Sequence, residues 1–227
     1  MTGSRSSAAS RLWRDNGLSI VLLLLFAGSF AGQIWAGWFD YNDERREHAE
    51  PPAALVEYLA SGHFGEATFE NWESEFLQMS AYVLLTVFLF QKGSAESKKP
   101  GGVESVDEDP REARDAAAPW PVHRGGLILK LYESSLSIAF ALLFLLSFVL
   151  HATLGLSEYN AERLAHGSPA ATLLRYATSS RFWFESFQNW QSEFLSLAAM
   201  VVLSIFLRQR GSPESKPVAA PTWETGA

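Results

Sequence analysis

The chain of 227 residues contains no cysteine. This absence excludes disulfide bonds, thiolate metal ligands and cysteine nucleophiles. Lysine and arginine are outnumbered by acidic residues, which gives a formal net charge of -7, and they form no stripe between aromatic residues. Nucleic acid is therefore not expected as a partner. The sequence also lacks a G-x-S-x-G elbow, an H-E-x-x-H pair, a phosphate-binding glycine loop and a dinucleotide fingerprint. We expect no cofactor, and the sequence supports no particular enzyme chemistry.

Four apolar segments stand out between polar connections. Leu18–Phe39 carries no charge, and Leu136–Leu156 is interrupted only by His151 near its end. Phe76–Phe90 and Phe194–Leu207 are shorter. A membrane-spanning helix needs roughly 17–25 residues, and the short segments reach this length if the preceding tryptophan-containing turns continue the helix into the interface, where tryptophan is favoured. The pattern predicts an all-α membrane protein with four transmembrane helices.

The sequence repeats itself at an offset of 118 residues. Asn71–Leu77 (NWESEFL) recurs as Asn189–Leu195 (NWQSEFL), and Tyr41–Arg45 (YNDER) recurs as Tyr159–Arg163 (YNAER). Each copy carries two apolar segments. We therefore expect two tandem helical hairpins that are duplicated in parallel orientation. Short helices that begin at the prolines of the outer loops are expected to cap them.

The positively charged residues divide unequally between the connections. Of the 18 lysine and arginine residues, 13 lie in the two tails and the middle connection, and five lie in the two repeat loops. By the positive-inside rule, both termini and the middle connection are cytoplasmic. The middle connection has too few apolar groups to form a core. The expected organisation is a disordered N-terminal tail (1–12), a first two-helix repeat (13–91), a flexible cytoplasmic linker (92–125), a second repeat (126–210) and a disordered C-terminal tail (211–227).

Two pairs of glutamate and histidine recur in the outer loops. Glu44 and His48 are four residues apart, as are Glu162 and His166, so each pair shares one face of a helix. If the pairs converged, they could bind zinc or iron. The alternative is a polar cap, in which tyrosine anchors at the interface, asparagine caps the helix end and glutamate pairs with arginine. We favour the cap, because this spacing is common and brings no further ligands.

A polar stripe enters the second apolar helix of each copy. The stripes consist of Asn71, Ser74, Glu75 and Gln78 in the first copy and of Asn189, Ser192, Glu193 and Ser196 in the second. A carboxylate at the membrane edge is costly unless it is paired or hydrated, so Glu75 and Glu193 are candidates for function. We favour a structural role. Arg45 is then the expected partner of Glu75, and Arg163 that of Glu193.

Several strings of residues resemble those of a known family. They are Asn16–Ser19, Gly37–Trp38, Tyr41–Asn42, Ser61–Phe64 and Glu66–Gln78. With them, the chain resembles a bacterial domain-of-unknown-function family of small multi-spanning inner-membrane proteins, over residues 12–216. The resemblance implies location in the bacterial inner membrane and carries no activity. The copies differ at Glu73, which is Gln191 in the second copy, and such positions are not expected in a symmetric site.

The favoured interpretation is an integral inner-membrane protein that is a structural or partner-binding component of the cell envelope. Its expected partners are the lipid bilayer and either a second copy or another membrane protein. The alternative is a small transporter or channel with a polar path between the repeats, and a membrane metal-binding protein is the third interpretation. Transport would require ionisable groups near the membrane midplane.

Overall fold

The computed structural model describes residues 8–112 and 117–226. Within these residues, helices are the only regular secondary structure. The long helices are α1 (Ala8–Glu47), α3 (Gly62–Phe88), α6 (Ser135–Ala165) and α8 (Ser180–Phe206). The short helices are α2 (Leu55–Leu59), α4 (Trp120–Arg124), α5 (Gly126–Glu133) and α7 (Leu173–Ala177), with 3-10 turns at Ser105–Asp107 and Pro110–Glu112. The predicted all-α class is confirmed.

Three helices, rather than the predicted four, are long and apolar enough to cross a membrane. They are Ser10–Glu47 within α1, and the whole of α6 and α8. The helix that differs is α3, because its first half carries Glu66, Glu70, Glu73 and Glu75. Charged side chains are costly in lipid. Only the C-terminal part of α3 therefore has the composition of a spanning helix.

The first of the two compact units ends at residue 65, and in it the loop after α1 is bound back to the helix. Asn42 donates from Nδ2 to the carbonyl oxygen of Ala53 (3.2 Å) and accepts from the N–H of Ala53 (2.6 Å). The ring of Tyr58 is buried, and its hydroxyl lies against Gly37. A Cβ at Gly37 would lie 2.1 Å from that oxygen. Glycine is therefore required for this close approach.

The second unit, residues 66–227, contains a matching arrangement 118 residues later. Asn160 exchanges the same two hydrogen bonds with Ala171, at 3.1 and 2.7 Å. Tyr176 lies against Gly155, where a Cβ would be 2.4 Å from the tyrosine oxygen. The bounds of α7 and α8 also lie 118 residues after those of α2 and α3. Each loop contains the expected short helix, but the helices begin at Leu55 and Leu173, after the prolines rather than at them.

Helices α1 and α6 end in left-handed turns that differ in one residue. After α1, Ala49 has a φ of 58°, and the N–H of Glu50 donates to the carbonyl oxygen of Arg45 at 2.8 Å. After α6, the equivalent left-handed residue is Gly167, with a φ of 69°. A residue with a Cβ costs about 1–2 kcal/mol in this conformation, whereas glycine does not. The first turn is therefore the more strained of the two.

An aromatic core joins α6, α7 and α8 in the second unit. Its buried residues are Ala152, Tyr176 and Phe182, and Phe148, Leu156 and Tyr159 pack against them. Helix α8 begins next to this core because the hydroxyl of Ser179 accepts from the N–H of Phe182 at 3.3 Å. The core thus positions one face of α6 toward the first turns of α8.

The predicted C-terminal tail carries contacts that its composition does not indicate. The Nζ atom of Lys216 donates to the carbonyl oxygens of Thr222 (3.1 Å), Glu224 (2.9 Å) and Gly93. The N–H of Gly226 donates to Ser94 at 2.9 Å. A buried ammonium needs such acceptors in place of water, so the tail folds over this lysine. The predicted N-terminal tail lies outside the described residues up to residue 7, and helix α1 already includes residues 8–12.

Candidate functional site

A histidine lies on the buried face of α6. The side chain of His151 has no exposed surface, and its ring packs against Phe182 at 4.8 Å between centroids. Its Nδ1 atom lies 3.1 Å from an oxygen of Glu73 on α3, which is also completely buried. An ionised carboxylate only accepts hydrogen bonds. The contact therefore places a ring hydrogen on Nδ1, and in the neutral ring Nε2 then carries the lone pair.

Glu73 is fully satisfied by two donors. Its Oε2 atom faces His151, and its Oε1 atom accepts from the indole N–H of Trp190 at 3.2 Å. Both donors come from helices that pack against α3. A buried carboxylate is stable only when it is paired and hydrogen bonded in this way. Glu73 thus holds the imidazole ring in one orientation.

The other ring nitrogen of His151 is not satisfied. Its Nε2 atom has no hydrogen-bond partner among the described residues. Oε2 of Glu185 on α8 lies 3.7 Å from it. This distance is too long for a hydrogen bond. When the ring is neutral, Nε2 of His151 and Oε2 of Glu185 therefore both present lone pairs across this gap.

Tyr176 also faces more acceptors than it can satisfy. Its hydroxyl lies 3.0 Å from Oε1 of Glu66 and 3.2 Å from Oε2 of Glu185. Burial, reinforced by these two carboxylates, raises the pKa of Tyr176 above its ordinary value. The hydroxyl therefore keeps its hydrogen, and it has only one to donate. One of the two carboxylate oxygens is left without this donor.

One arginine provides the fixed positive charge of the cluster. Arg181 donates from Nε to Oε1 of Glu185 at 2.8 Å and pairs with Glu162. Its remaining nitrogen lies 4.0 Å from Glu66. A single guanidinium is thus shared by three carboxylates, and among the described residues the carboxylate of Glu73 lies nearby without contact to it. The cluster carries more negative than positive charge when its carboxylates are ionised.

Three side chains of the cluster could hold a metal ion together. A ring nitrogen of His151 and one oxygen each from Glu66 and Glu185 lie within 4.8 Å of one another. We define these three residues, with Glu73, Tyr176 and Arg181 around them, as the His151 cluster. Gly155 gives it room, because a Cβ there would lie 2.4 Å from the Tyr176 oxygen and 2.9 Å from Glu66.

The glutamate–histidine pairs predicted from the sequence are arranged differently. His48 and His166 are exposed, and each places Nδ1 near the backbone carbonyl four residues earlier, at 2.9 and 2.7 Å. Those carbonyls belong to Glu44 and Glu162, so the contacts use the backbone rather than the carboxylates. The carboxylate of Glu162 pairs with Arg181. Metal binding at these four residues remains an untested prediction.

The predicted polar stripes bond mainly within their own helices. Asn71, Ser74, Asn189 and Ser192 each donate to a backbone carbonyl three or four residues earlier. Such bonds satisfy polar side chains within an apolar helix. Between the stripes, Gln78 donates to the carbonyl oxygen of Glu193 at 2.7 Å and to Ser196 at 3.1 Å.

The arginines expected beside the stripes bind their own loops. Arg45 donates to the carbonyl oxygen of Pro51 at 2.8 Å and pairs with Glu50 at 3.1 Å. Arg163 donates to the carbonyl oxygen of Pro169 at 2.8 Å. In the described part of the second unit, no ion pair within 4 Å joins Arg163 to Glu193.

The residues of the His151 cluster can be recognised in the sequence, but not by comparing the two copies of the repeat. His151, Glu66, Glu73 and Glu185 have no equivalent in the other copy. An ionisable residue inside an apolar segment is a functional candidate by itself. Glu66 and Glu73 also share a helix face at a spacing of seven residues. A search among residues common to both copies therefore overlooks an asymmetric site.

A family model described as Domain of unknown function (DUF6766) matches residues 9–227. No curated protein and no solved structure matches the chain.

Proposed function

Because the chain belongs to the DUF6766 family of unknown function, which supplies no activity, we propose a function from the His151 cluster itself: the protein is a multi-pass integral membrane protein that binds a small cation. The supporting observation is the unpartnered, buried Nε2 atom of His151, which lies 3.7 Å from Oε2 of Glu185; in the neutral ring both atoms present lone pairs. A proton or a metal ion in this gap would remove the repulsion. The cluster's excess of carboxylates favours the same conclusion.

The membrane setting forms part of this proposal. Three helices are long and apolar enough to cross a membrane. We place the protein in a bacterial inner membrane, with both termini cytoplasmic, on the basis of the lysine and arginine distribution. This topology requires α3 to cross as well. Support comes from α8, which has the same length of 27 residues 118 positions later and meets the criteria for a span.

The duplication of a two-helix unit is likewise proposed. The equal helix bounds and the repeated asparagine contacts at Asn42 and Asn160 support it. In such a duplication, the cluster takes Glu66 and Glu73 from the first copy and His151 and Glu185 from the second. The asymmetry follows because His151 corresponds to Gln33, and Glu185 corresponds to Ala67.

Replacing Glu66 with glutamine tests the excess of negative charge. Glutamine keeps the shape and removes one charge. If the cluster lacks a cation, the Glu66→Gln protein in detergent should unfold at the same temperature as the wild type or higher, because repulsion is relieved. If the cluster is instead a network of ion pairs that is stable without a cation, Tm should fall. Removing one partner of a buried pair then costs about 3–5 kcal/mol and lowers Tm by several degrees.

Glu162→Gln is the matched control for this experiment, because Glu162 pairs with the same arginine from a more exposed position. Its change in Tm should be small or negative. In protein freed of metal by a chelator, a fall in Tm for Glu66→Gln at least equal to that of the control would contradict cation binding at this cluster, because the ion pairs would then be self-sufficient.

A second candidate function is that of a structural or partner-binding envelope component. The observation that favours it is the apolar window of α1, of which no residue is buried. This surface needs lipid, a second copy or another membrane protein to cover it. Loss of a partner on purification would change neither the charge of the His151 cluster nor the result for Glu66→Gln, so the two proposals are separable.

A further inference from the structure

We infer that the cation of the His151 cluster is a first-row divalent transition metal, held by His151, Glu66 and Glu185. This inference rests on the proposed function and specifies its ligand. A ring nitrogen of His151 and one carboxylate oxygen from each glutamate lie within 4.8 Å of one another, and Nε2 is the ring nitrogen that faces Glu185.

The ligand geometry suits a metal better than a hydrogen bond. Around a zinc ion with bonds of about 2.0–2.2 Å, neighbouring tetrahedral ligand atoms lie roughly 3.3–3.6 Å apart. The distance from Nε2 of His151 to Oε2 of Glu185 is 3.7 Å, close to this range and longer than a hydrogen bond. Separations of up to 4.8 Å between the three ligand atoms exceed the tetrahedral range, so metal binding would draw the carboxylates inward.

The surroundings of His151 are those of a metal ligand. A histidine that binds a metal through one nitrogen commonly donates the other N–H to a carboxylate, which fixes the ring and its tautomer. Glu73 provides this contact at 3.1 Å and is itself held by Trp190. The unpartnered Nε2 atom then points toward Glu185 from a side chain with no exposed surface.

Each ligand carboxylate is also held from outside the site. Arg181 donates to Oε1 of Glu185, which leaves Oε2 directed at His151. Tyr176 donates to Glu66 or Glu185. These contacts reduce the movement needed for binding. The side chain of Arg181 is 32% exposed and that of Glu185 is 19% exposed, so this side of the site borders solvent.

One nitrogen and two oxygen ligands define the class of metal. Without a sulfur ligand, the site suits Zn²⁺, Fe²⁺ or Mn²⁺. Three protein ligands also leave a position for water. The expected stoichiometry is one ion per chain.

The test is calorimetric titration of Zn²⁺ into the full chain, purified in detergent and freed of metal by a chelator. The wild type should bind one equivalent. His151→Asn keeps an amide near the position of Nδ1 and removes Nε2, so it can retain the Glu73 contact while losing the ligand. We expect this variant and Glu185→Gln to weaken binding about 100-fold or more. Glu73→Gln should weaken it by roughly 10- to 100-fold, as a positioning residue does.

His48→Asn and His166→Asn are the matched controls, because both histidines are exposed and lie outside the cluster. Their affinity for Zn²⁺ should equal that of the wild type. In parallel, Co²⁺ bound to the wild-type protein should give a visible absorption spectrum typical of nitrogen and oxygen ligands. This second readout does not depend on whether a variant folds.

The inference is overturned if the wild type binds no Zn²⁺ and no Co²⁺. It is also overturned if His151→Asn and Glu185→Gln, folded by circular dichroism, keep wild-type affinity, or if the control variants lose it. Absence of metal binding together with an unchanged or raised Tm for Glu66→Gln would leave the proton as the bound cation. Absence of metal binding together with a large fall in that Tm would reject the proposed function as well.

Discussion

The Nδ1 atom of His151 lies 3.1 Å from an oxygen of Glu73, and neither side chain has any exposed surface. This contact joins α6 to α3 and determines which nitrogen of the ring remains available. The other nitrogen then faces Glu185 without a donor between them. The functional proposals follow from this arrangement.

Gly155 should be required for the cluster. In the Gly155→Ala protein, the new methyl group would lie 2.4 Å from the Tyr176 oxygen and would displace it from Glu66. Overpacking of this kind costs about 1–3 kcal/mol. We expect a lower Tm in detergent. Gly28→Ala is the control, because nothing lies within 4 Å of a Cβ there, and its Tm should be unchanged or higher. Equal Tm values for the two variants would show that this close approach is absent.

The turn after α1 offers a stabilising substitution. Ala49 has a φ of 58°, a left-handed conformation in which its Cβ crowds the backbone. The equivalent Gly167 has no Cβ and adopts this conformation without strain. Ala49→Gly should therefore stabilise the protein by about 1 kcal/mol, and Gly167→Ala should destabilise it by a similar amount. Thermal unfolding of both variants checks the expectation. Destabilisation by Ala49→Gly would mean that the left-handed turn is not present in the first loop.

The number of membrane crossings is tested by where the linker lies. If α3 crosses, a fluorescent reporter that folds only in the cytoplasm should be active when fused after Lys99 and after Lys216. If only the three more apolar helices cross, an N-terminus in the cytoplasm would put both fusion points outside. Dark reporters at both points, with normal expression, would contradict the proposed topology.

Lys216 should hold the C-terminal tail in place. Lys216→Met keeps the length of the side chain but removes the hydrogen bonds to Thr222, Glu224 and Gly93. We expect hydrogen exchange in residues 217–226 to become much faster. Lys98→Met is the control, since Lys98 pairs with Asp107 instead. Unchanged exchange in the Lys216 variant would show that the tail is held by other contacts.

The sequence predicts the helical class well because apolar segments and helix-capping residues are local features. It predicts four spanning helices, whereas three are long and apolar enough to cross a membrane. The prediction counts the acidic first half of α3 as a continuation of the helix into the membrane interface. The difference has a physical cause: Glu73 is stable there through contacts with His151 and Trp190, which lie 78 and 117 residues away in the sequence. Local composition does not reveal such partners.

The candidate site was harder to predict than the fold. The repeat indicates Glu44, His48 and their equivalents as candidate ligands, because these residues are shared by both copies. The cluster instead uses His151 and Glu185, which belong to one copy only. Residues shared by the copies, such as Asn42 and Asn160, hold the loops against the helices. In this chain, symmetry marks structural contacts, and departures from symmetry mark the candidate site.

The most direct test of the account is the ¹⁵N nuclear magnetic resonance spectrum of His151 in the full chain, identified by its loss in His151→Asn. We predict that Nδ1 stays protonated with and without one equivalent of Zn²⁺, because it donates to Glu73. The signal of Nε2 alone should shift strongly when the ion is added. If Nε2 does not respond, or if Nδ1 is the nitrogen that changes, the assignment of Nε2 as the cation-binding atom is wrong.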